Sequence, residues 1–171
     1  EEIAIAAIFR WHRATQGLVI VDVGANKGAY AETLLAHLAG TPATLHLFEP
    51  AGSSFAVLEE KFRRHPSVLL NNVGLSDAAG TATIYFDEQG SGLTSLYKRD
   101  LSAYGMRMDY SEAVTTVRLD EYIARVGISH IHFLKIDIEG HELAALRGMG
   151  RYLNSGFVDF LQFEYGGANL D

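Results

Sequence analysis

The 171-residue chain contains no cysteine. That excludes a disulfide framework, a thiolate metal centre and a cysteine nucleophile, and it is compatible with a reducing cytoplasm, the compartment expected here. There is no basic run: 14 Lys and Arg stand against 21 Asp and Glu, a net charge of −7. The phosphate-neutralising surface of a general nucleic-acid binder is therefore missing. No apolar stretch approaches the ~20 residues needed to cross a bilayer, so no membrane span is expected. The chain has no internal repeat and no low-complexity linker. It opens on Glu1-Glu2 rather than methionine, which points to a fragment or trimmed stretch with any targeting segment lost. What is present is ordinary globular composition, 48% hydrophobic and 20% charged with 17 glycines. The length suits one domain, residues 1–171, with a substantial core.

The apolar pattern alternates between strand and helix. Residues 3–14, with Trp11 and His12 as packing residues, fit a short helix covering a sheet edge. Leu18–Val23 reads as a strand buried on both faces. A helix follows with Ala31, Leu34, Leu35 and Leu38 on one face, ended by Gly40-Thr41-Pro42. Thr44–Phe48 is a second strand in which His46 is a satisfied core or edge histidine. Residues 53–64 form a helix with Phe55, Leu58 and Phe62 inward and the Glu59/Arg63 and Glu60/Arg64 pairs in solvent. A third strand starts at Val68 and continues towards Asp77. This β-α-β-α-β order predicts parallel strands with right-handed crossovers. Thr81–Phe86 and Leu93–Tyr97 then read as a hairpin about the Gly90-Ser91-Gly92 turn, and residues 98–112 as a long irregular binding loop. Val114–Leu119 is a short strand, with Asp120 capping a helix through Val126. Ile131–Ile136 is a buried strand, residues 141–153 a helix with Leu143, Leu146 and Leu153 on one face, and Phe157–Phe163 a fifth core strand.

Strand 1 runs into Val21-Asp22-Val23-Gly24-Ala25-Asn26-Lys27-Gly28, a glycine-spaced loop opening into a helix. That arrangement suits a nucleotide-like ligand; a tight strand-to-helix turn made by Gly24 and Gly28 is the plainer alternative. The other strand ends favour the ligand. Apolar strands finish in Asp22, Glu49, the Ser76-Asp77 region, Asp137 with Glu139, and Glu164, and the carboxyl rim of a parallel sheet is where ligands bind. A dinucleotide fingerprint would place glycine at 24, 26 and 29, where this chain has Gly24, Asn26 and Ala29, so NAD or FAD is disfavoured. Glu49 at the end of strand 2 can accept both hydroxyls of a ribose. Asp22 and the Gly24 backbone can face a cationic amino group, and a carboxylate-rich pocket suits a sulfonium. The pattern thus favours S-adenosylmethionine.

The ordered set Val21–Gly28, Phe48-Glu49-Pro50, Asn72–Asp77, Arg118-Leu119-Asp120-Glu121, Leu134-Lys135-Ile136-Asp137-Ile138-Glu139-Gly140-His141-Glu142 and Phe163-Glu164 resembles the FkbM-type methyltransferases. The resemblance covers residues 18–165, and its 135–142 stretch is the most distinctive part. It implies an α/β, Rossmann-like class I methyltransferase fold: a mostly parallel sheet with helices on both faces and a β-hairpin insertion between core strands 3 and 4. It also implies S-adenosylmethionine as donor and a hydroxyl of a small metabolite or saccharide as acceptor. Folds of that class finish with two further strands, so this chain is expected to lack the last two.

On this reading Asp22, Gly24, Ala25, Asn26, Gly28, Glu49, Pro50, Ser76, Asp77 and Asp137 form the cofactor site, with Asp77 a partner for the adenine amino group. Asp137, His141 and Lys135 are the catalytic candidates. Asp137 orients cofactor or acceptor. His141 has the ordinary pKa of a base but lies at a helix start, where it can equally cap or pack. Lys135 is expected in a buried ion pair with Glu164. Asp137, Glu139 and Glu164 form a possible divalent-ion set that nothing in their spacing requires. The 91–96 stretch is expected to lie over the site as a lid. A nicotinamide-dependent oxidoreductase and a cofactor-binding module without turnover are the competing readings.

Overall fold

The structure, a computed structural model, describes residues 17–88, 94–99 and 105–164. The expected 3–14 helix, the Gly90-Ser91-Gly92 turn and Leu93 of the hairpin, and residues 100–104 of the loop lie outside them. The element order is β1 (Leu18–Val23), α1 (Ala29–His37), β2 (Ala43–Phe48), α2 (Gly52–Phe62), β3 (Val68–Asn71), β4 (Gly74–Leu75), β5 (Gly80–Phe86), β6 (Tyr110–Val117), α3 (Leu119–Val126), β7 (Ile131–Ile136), α4 (Glu142–Arg147) and β8 (Val158–Phe163), with a 3₁₀ turn at Gly150–Tyr152 before β8.

Five strands form one sheet in the order β3-β2-β1-β7-β8, every pair parallel. Strand alternation gives it two apolar faces. Leu18, Ile20, Leu45, Leu47 and Phe133 pack with Leu34 of α1 and Leu58 and Phe62 of α2. Val21, Val23, Leu134 and Ile136 pack on the other side with Leu119 and Ile123 of α3 and Ala145 of α4. Both faces are thus covered, as parallel sheets require. His46 is buried within its strand, its Nδ1 2.8 Å from the Tyr122 hydroxyl. From β1 the chain steps outward to β2 and β3, then returns to place β7 on β1's other side. The crevice between β1 and β7 is therefore the topological switch point.

The expected third strand divides. β3 stays in the main sheet, while β4 moves to a second, three-stranded sheet of order β4-β6-β5. The expected hairpin partner of residues 81–86 is also corrected. β5 pairs antiparallel with β6, from Gly80↔Thr116 to Phe86↔Tyr110, and residues 93–97 contribute a single bridge, Tyr85↔Ser95. β6 wins because it is long and alternates, burying Val114 and Thr116 on one side. Its opening Tyr110-Ser111-Glu112-Ala113 carries no apolar alternation, which made it read as loop. Glu112 joins the two sheets by accepting the Gly52 N–H at the start of α2, 3.2 Å.

Two helix boundaries differ from expectation. α3 begins at Leu119 with Arg118 at its cap. Asp120 lies inside the first turn, where its carboxylate takes both the Glu121 N–H (2.8 Å) and the Arg118 guanidinium. The helix expected over 141–153 stops at Arg147, because Gly148 packs on the Ser76 carbonyl and Gly150 turns to positive φ. Its buried residues are Ala145 and Glu142, while Leu143 and Leu153 face solvent.

Candidate active site

A cavity of about 450 Å³ opens at the switch point, between the carboxyl rim of the main sheet and the second sheet. Part of its lining is an apolar slot of Phe48, Pro50, Val73, Leu75, Ile84 and Leu96. Another part is polar, with Asn26, Tyr30, Lys135, Asp137, Glu139 and Glu164. An apolar slot together with charged groups fits a ligand that carries both an aromatic base and polar groups.

The glycine loop is shaped by the protein itself. Gly24 has φ +85°, and a Cβ there would sit 1.9 Å from the Asp137 carbonyl oxygen, so β1 can lie against the end of β7 only through glycine. At Gly28 (φ +83°) a Cβ would meet Phe62 and Leu58 of α2, so this glycine serves helix packing. Asn26 takes the left-handed conformation, φ 47°, with its side-chain carbonyl accepting the Ser54 hydroxyl at 2.9 Å. Asparagine tolerates that region better than most residues. The same side chain stands where a dinucleotide site needs glycine.

Glu49 organises the loop. One carboxylate oxygen accepts the Asn26 N–H at 2.9 Å and the other the Ala51 N–H at 2.8 Å. The Glu49-Pro50 turn is held in place by Asn72, whose amide donates to both carbonyls at 2.9 and 3.1 Å. Burial outweighs the two amides and pushes the Glu49 carboxyl up to about 7. Each carboxylate oxygen accepts two hydrogen bonds, so both keep capacity towards the cavity that Glu49 lines.

Lys135 and Asp22 are register partners across the β1–β7 ladder and share a face. The Lys135 ammonium lies 3.7 Å from Asp22 Oδ1 and 3.0 Å from Asp137 Oδ2, and 4.9 Å from the centre of the Tyr30 ring. The ion pairs are thus with Asp137 and Asp22, where the sequence pointed to Glu164. Asp22 is fully buried and stands behind Lys135, outside the cavity wall. Asp137, Glu139 and Glu164 do come together on that wall. Repulsion from Asp137 raises the Glu164 carboxyl above its ordinary value, followed by desolvation and then by repulsion from Glu139.

Among the described residues the cavity wall ends at Leu75, so Ser76, Asp77 and His141 lie on its flank. They form a chain of donors: the Ser76 hydroxyl donates to Asp77 (3.3 Å) and so accepts from His141 Nε2 (3.0 Å). That leaves His141 Nδ1 to accept the Tyr97 hydroxyl, 3.0 Å. Burial lowers the His141 pKa, which favours the neutral ring. Sequence reasoning missed Glu142. It is buried, and its Oε1 accepts the Ile138 and Gly140 N–H groups at 3.0 and 3.1 Å, so it shapes the β7–α4 loop as Glu49 shapes the β1–α1 loop. Its place within the 135–142 motif was the available signal. Ile84 carried none, whereas Leu96 falls in the 91–96 stretch expected over the site and Val73 in the 72–77 motif.

The Methyltransferase FkbM domain matches residues 22–169. The chain belongs to the FkbM methyltransferase family. It is 32% identical to the 31-O-demethyl-FK506 methyltransferase FkbM of Streptomyces tacrolimicus, over 78% of this chain and 60% of that one. To the hexuronic acid methyltransferase AglP of Haloferax volcanii it is 31% identical, over 85% and 55%. The chain therefore spans about 60% or less of the length of these curated relatives. The crystal structure of methyltransferase FkbM from Methylobacillus flagellatus superposes with a TM-score of 0.53 at 19% identity, over 77% of this chain and 28% of that one, a likeness of fold. Of the FkbM motifs resembled in the sequence, 21–28, 48–50, 72–77, 134–142 and 163–164 each contribute residues to the cavity wall, while 118–121 lies outside it. No helix among the described residues is long and apolar enough to cross a membrane.

At the opposite rim, His130 Nε2 is 2.8 Å from Asp159 Oδ2, and His132 stacks edge-on against His130. The Val19 N–H donates to His132 Nδ1 at 3.0 Å. That places the ring proton on Nε2 and leaves no lone pair for an ion, so the trio serves as strand-end pairing rather than a metal site.

Proposed function

We propose that this protein is an S-adenosylmethionine-dependent O-methyltransferase acting on a hydroxyl of a small molecule or saccharide. Family membership supports methyl transfer, and the named activities of FkbM and AglP support a macrolide-like or sugar acceptor. The observation that carries the cofactor is the cavity's mixed lining, apolar and polar, with Glu49 in its wall. The apolar slot of Phe48, Pro50, Val73, Leu75 and Leu96 takes the adenine. Glu49 takes the ribose hydroxyls with the acceptor capacity that its two amide bonds leave. The Gly24-Ala25-Asn26 loop and the Lys135–Asp137 side take the methionine part.

When bound, S-adenosylmethionine supplies a methyl group on a good leaving group. The protein's task is then alignment of the acceptor oxygen in a site shielded from water. We assign Asp137 to that alignment, because Lys135 holds its carboxylate in place at 3.0 Å. Glu164 accepts the hydroxyl proton: repulsion from Asp137 raises its carboxyl above its ordinary value, the direction that makes it the stronger base. Lys135 is a positioning residue. His141, neutral and bonded on both ring nitrogens, holds the loop rather than the reacting proton. No resident divalent ion is needed, since Asp137 and Glu139 already face Lys135 and Arg99. The test is transfer of a labelled methyl group from S-adenosylmethionine to a panel of sugars and macrolide alcohols. Label in an ether linkage supports the reading, and transfer confined to amines or thiols overturns it.

A further inference from the structure

Four hydrogen bonds converge on one strained residue and its two neighbours. Glu139 holds a left-handed backbone, φ 53°, which a long side chain adopts only where its surroundings impose it. From the core, Glu142 takes the amides on either side of it, Ile138 and Gly140. From outside, the Ser95 hydroxyl donates to the Glu139 carbonyl at 2.7 Å, and Arg99 Nη1 donates to Glu139 Oε2 at 3.0 Å. The ion pair is sheltered, its side chains 15% and 25% exposed. Ser95 is also fastened to β5 by reciprocal backbone bonds with Tyr85, 2.7 and 3.0 Å. Residues 94–99 thus form a strap tied at one edge to the second sheet and at the other to the β7–α4 loop. Two of its side chains, Thr94 and Leu96, belong to the cavity wall.

We propose that Glu139 is a positioning residue for the cofactor pocket: through Ser95 and Arg99 it holds the strap so that Thr94 and Leu96 stand preformed over the apolar slot. A wall fixed before binding saves the ordering that a loose segment would need at the moment of binding. This inference rests on the methyltransferase reading for the identity of the ligand. A plain loop turn is the alternative, and it predicts that Glu139→Gly relieves the strain with no effect on affinity.

The test uses the full chain and S-adenosylhomocysteine as probe. Calorimetry of wild type, Glu139→Gln, Arg99→Gln and the double variant is expected to show each single change weakening binding about tenfold, with the double variant no weaker, since both act through one link. Glu139→Gly is expected to keep the wild-type melting temperature or exceed it while losing the same affinity. In the unliganded chain, Glu139→Gln is expected to speed tryptic cleavage after Lys98 or Arg99. Wild-type affinity in Glu139→Gly, or single losses that add in the double variant, overturns the proposal. If wild type itself fails to bind S-adenosylhomocysteine, the methyltransferase reading falls, and the tryptic comparison still decides the link between Glu139 and the strap: equal cleavage rates overturn it.

Discussion

Lys135 stands directly across the β1–β7 ladder from Asp22, and its ammonium is shared between that buried carboxylate and Asp137. A positive charge inside a strand otherwise made of Ile, His, Phe and Leu is thereby explained by its neighbours. Breaking a buried pair from one side leaves a charge uncompensated and costs about 3–5 kcal/mol. Lys135→Met is expected to destabilise by that order in urea unfolding, and the added Asp22→Asn change to recover part of the loss. Equal stability of Lys135→Met and wild type would show that the pair does not hold the strand ends together.

Glu49 predicts a pH dependence of ligand binding. Its carboxyl sits near 7 because burial disfavours the charge, and an ionised carboxylate is the better acceptor for two ribose hydroxyls. Affinity for S-adenosylhomocysteine is expected to rise about tenfold from pH 6 to pH 8 as Glu49 ionises. Glu49→Gln is expected to bind more weakly with that slope removed. The same slope in Glu49→Gln would place the titrating group elsewhere.

His46 and Glu49 give stability opposite pH slopes. Burial lowers His46 from 6.5 to about 4, so between those values the unfolded chain binds a proton that the folded chain does not. Its contribution is therefore complete above pH 6.5 and lost as pH falls towards 4. Glu49 is raised from 4.5 to about 7, so the folded chain holds the extra proton. Its contribution is complete below 4.5 and lost as pH rises through 7. In thermal melts of the unliganded protein, His46→Gln is expected to unmask a fall in stability from pH 4.5 to 6.5, and Glu49→Gln a rise. Identical profiles in both variants would contradict the assignment.

Metal removal is expected to leave activity unchanged. Lys135 and Arg99 already neutralise Asp137 and Glu139, so a divalent ion on Asp137, Glu139 and Glu164 would share two of its three ligands with cations 3.0 Å away. Dialysis against EDTA is predicted to alter methyl transfer by less than about twofold, within the effect of a surface contact on a barrier. Loss of activity restored by Mg²⁺ would reverse this.

Much of the architecture was legible because it is local. The five core strands each carry an apolar run, and the spacing of Leu34 with Leu38 and of Leu58 with Phe62 gave both inward helix faces. The strand-end acids could be gathered on one rim because parallel strands share a direction. What the sequence hid was pairing between distant segments. Residues 81–86 lie near 93–97 in the chain, yet β5 takes its long register from 110–117, a choice set by the three-dimensional sheet. Lys135 could be recognised as a paired cation, but its partner depends on the β1–β7 register. Asp77, read as a partner for the adenine amino group, stands beside Ser76 on the flank of the cavity, because β4's move to the second sheet puts Val73–Leu75 in its wall. The glycine loop was read for its ligand; the structure adds that Gly24 is demanded first by the Asp137 carbonyl.

The most direct test of the central claim is calorimetric titration of the full chain with S-adenosylhomocysteine and, separately, with NADH. Glu49, the apolar slot and Asn26 in the left-handed loop together predict saturable 1:1 binding of S-adenosylhomocysteine, weakened in Glu49→Ala, and no heat of binding with NADH. Binding of NADH without S-adenosylhomocysteine would contradict the account.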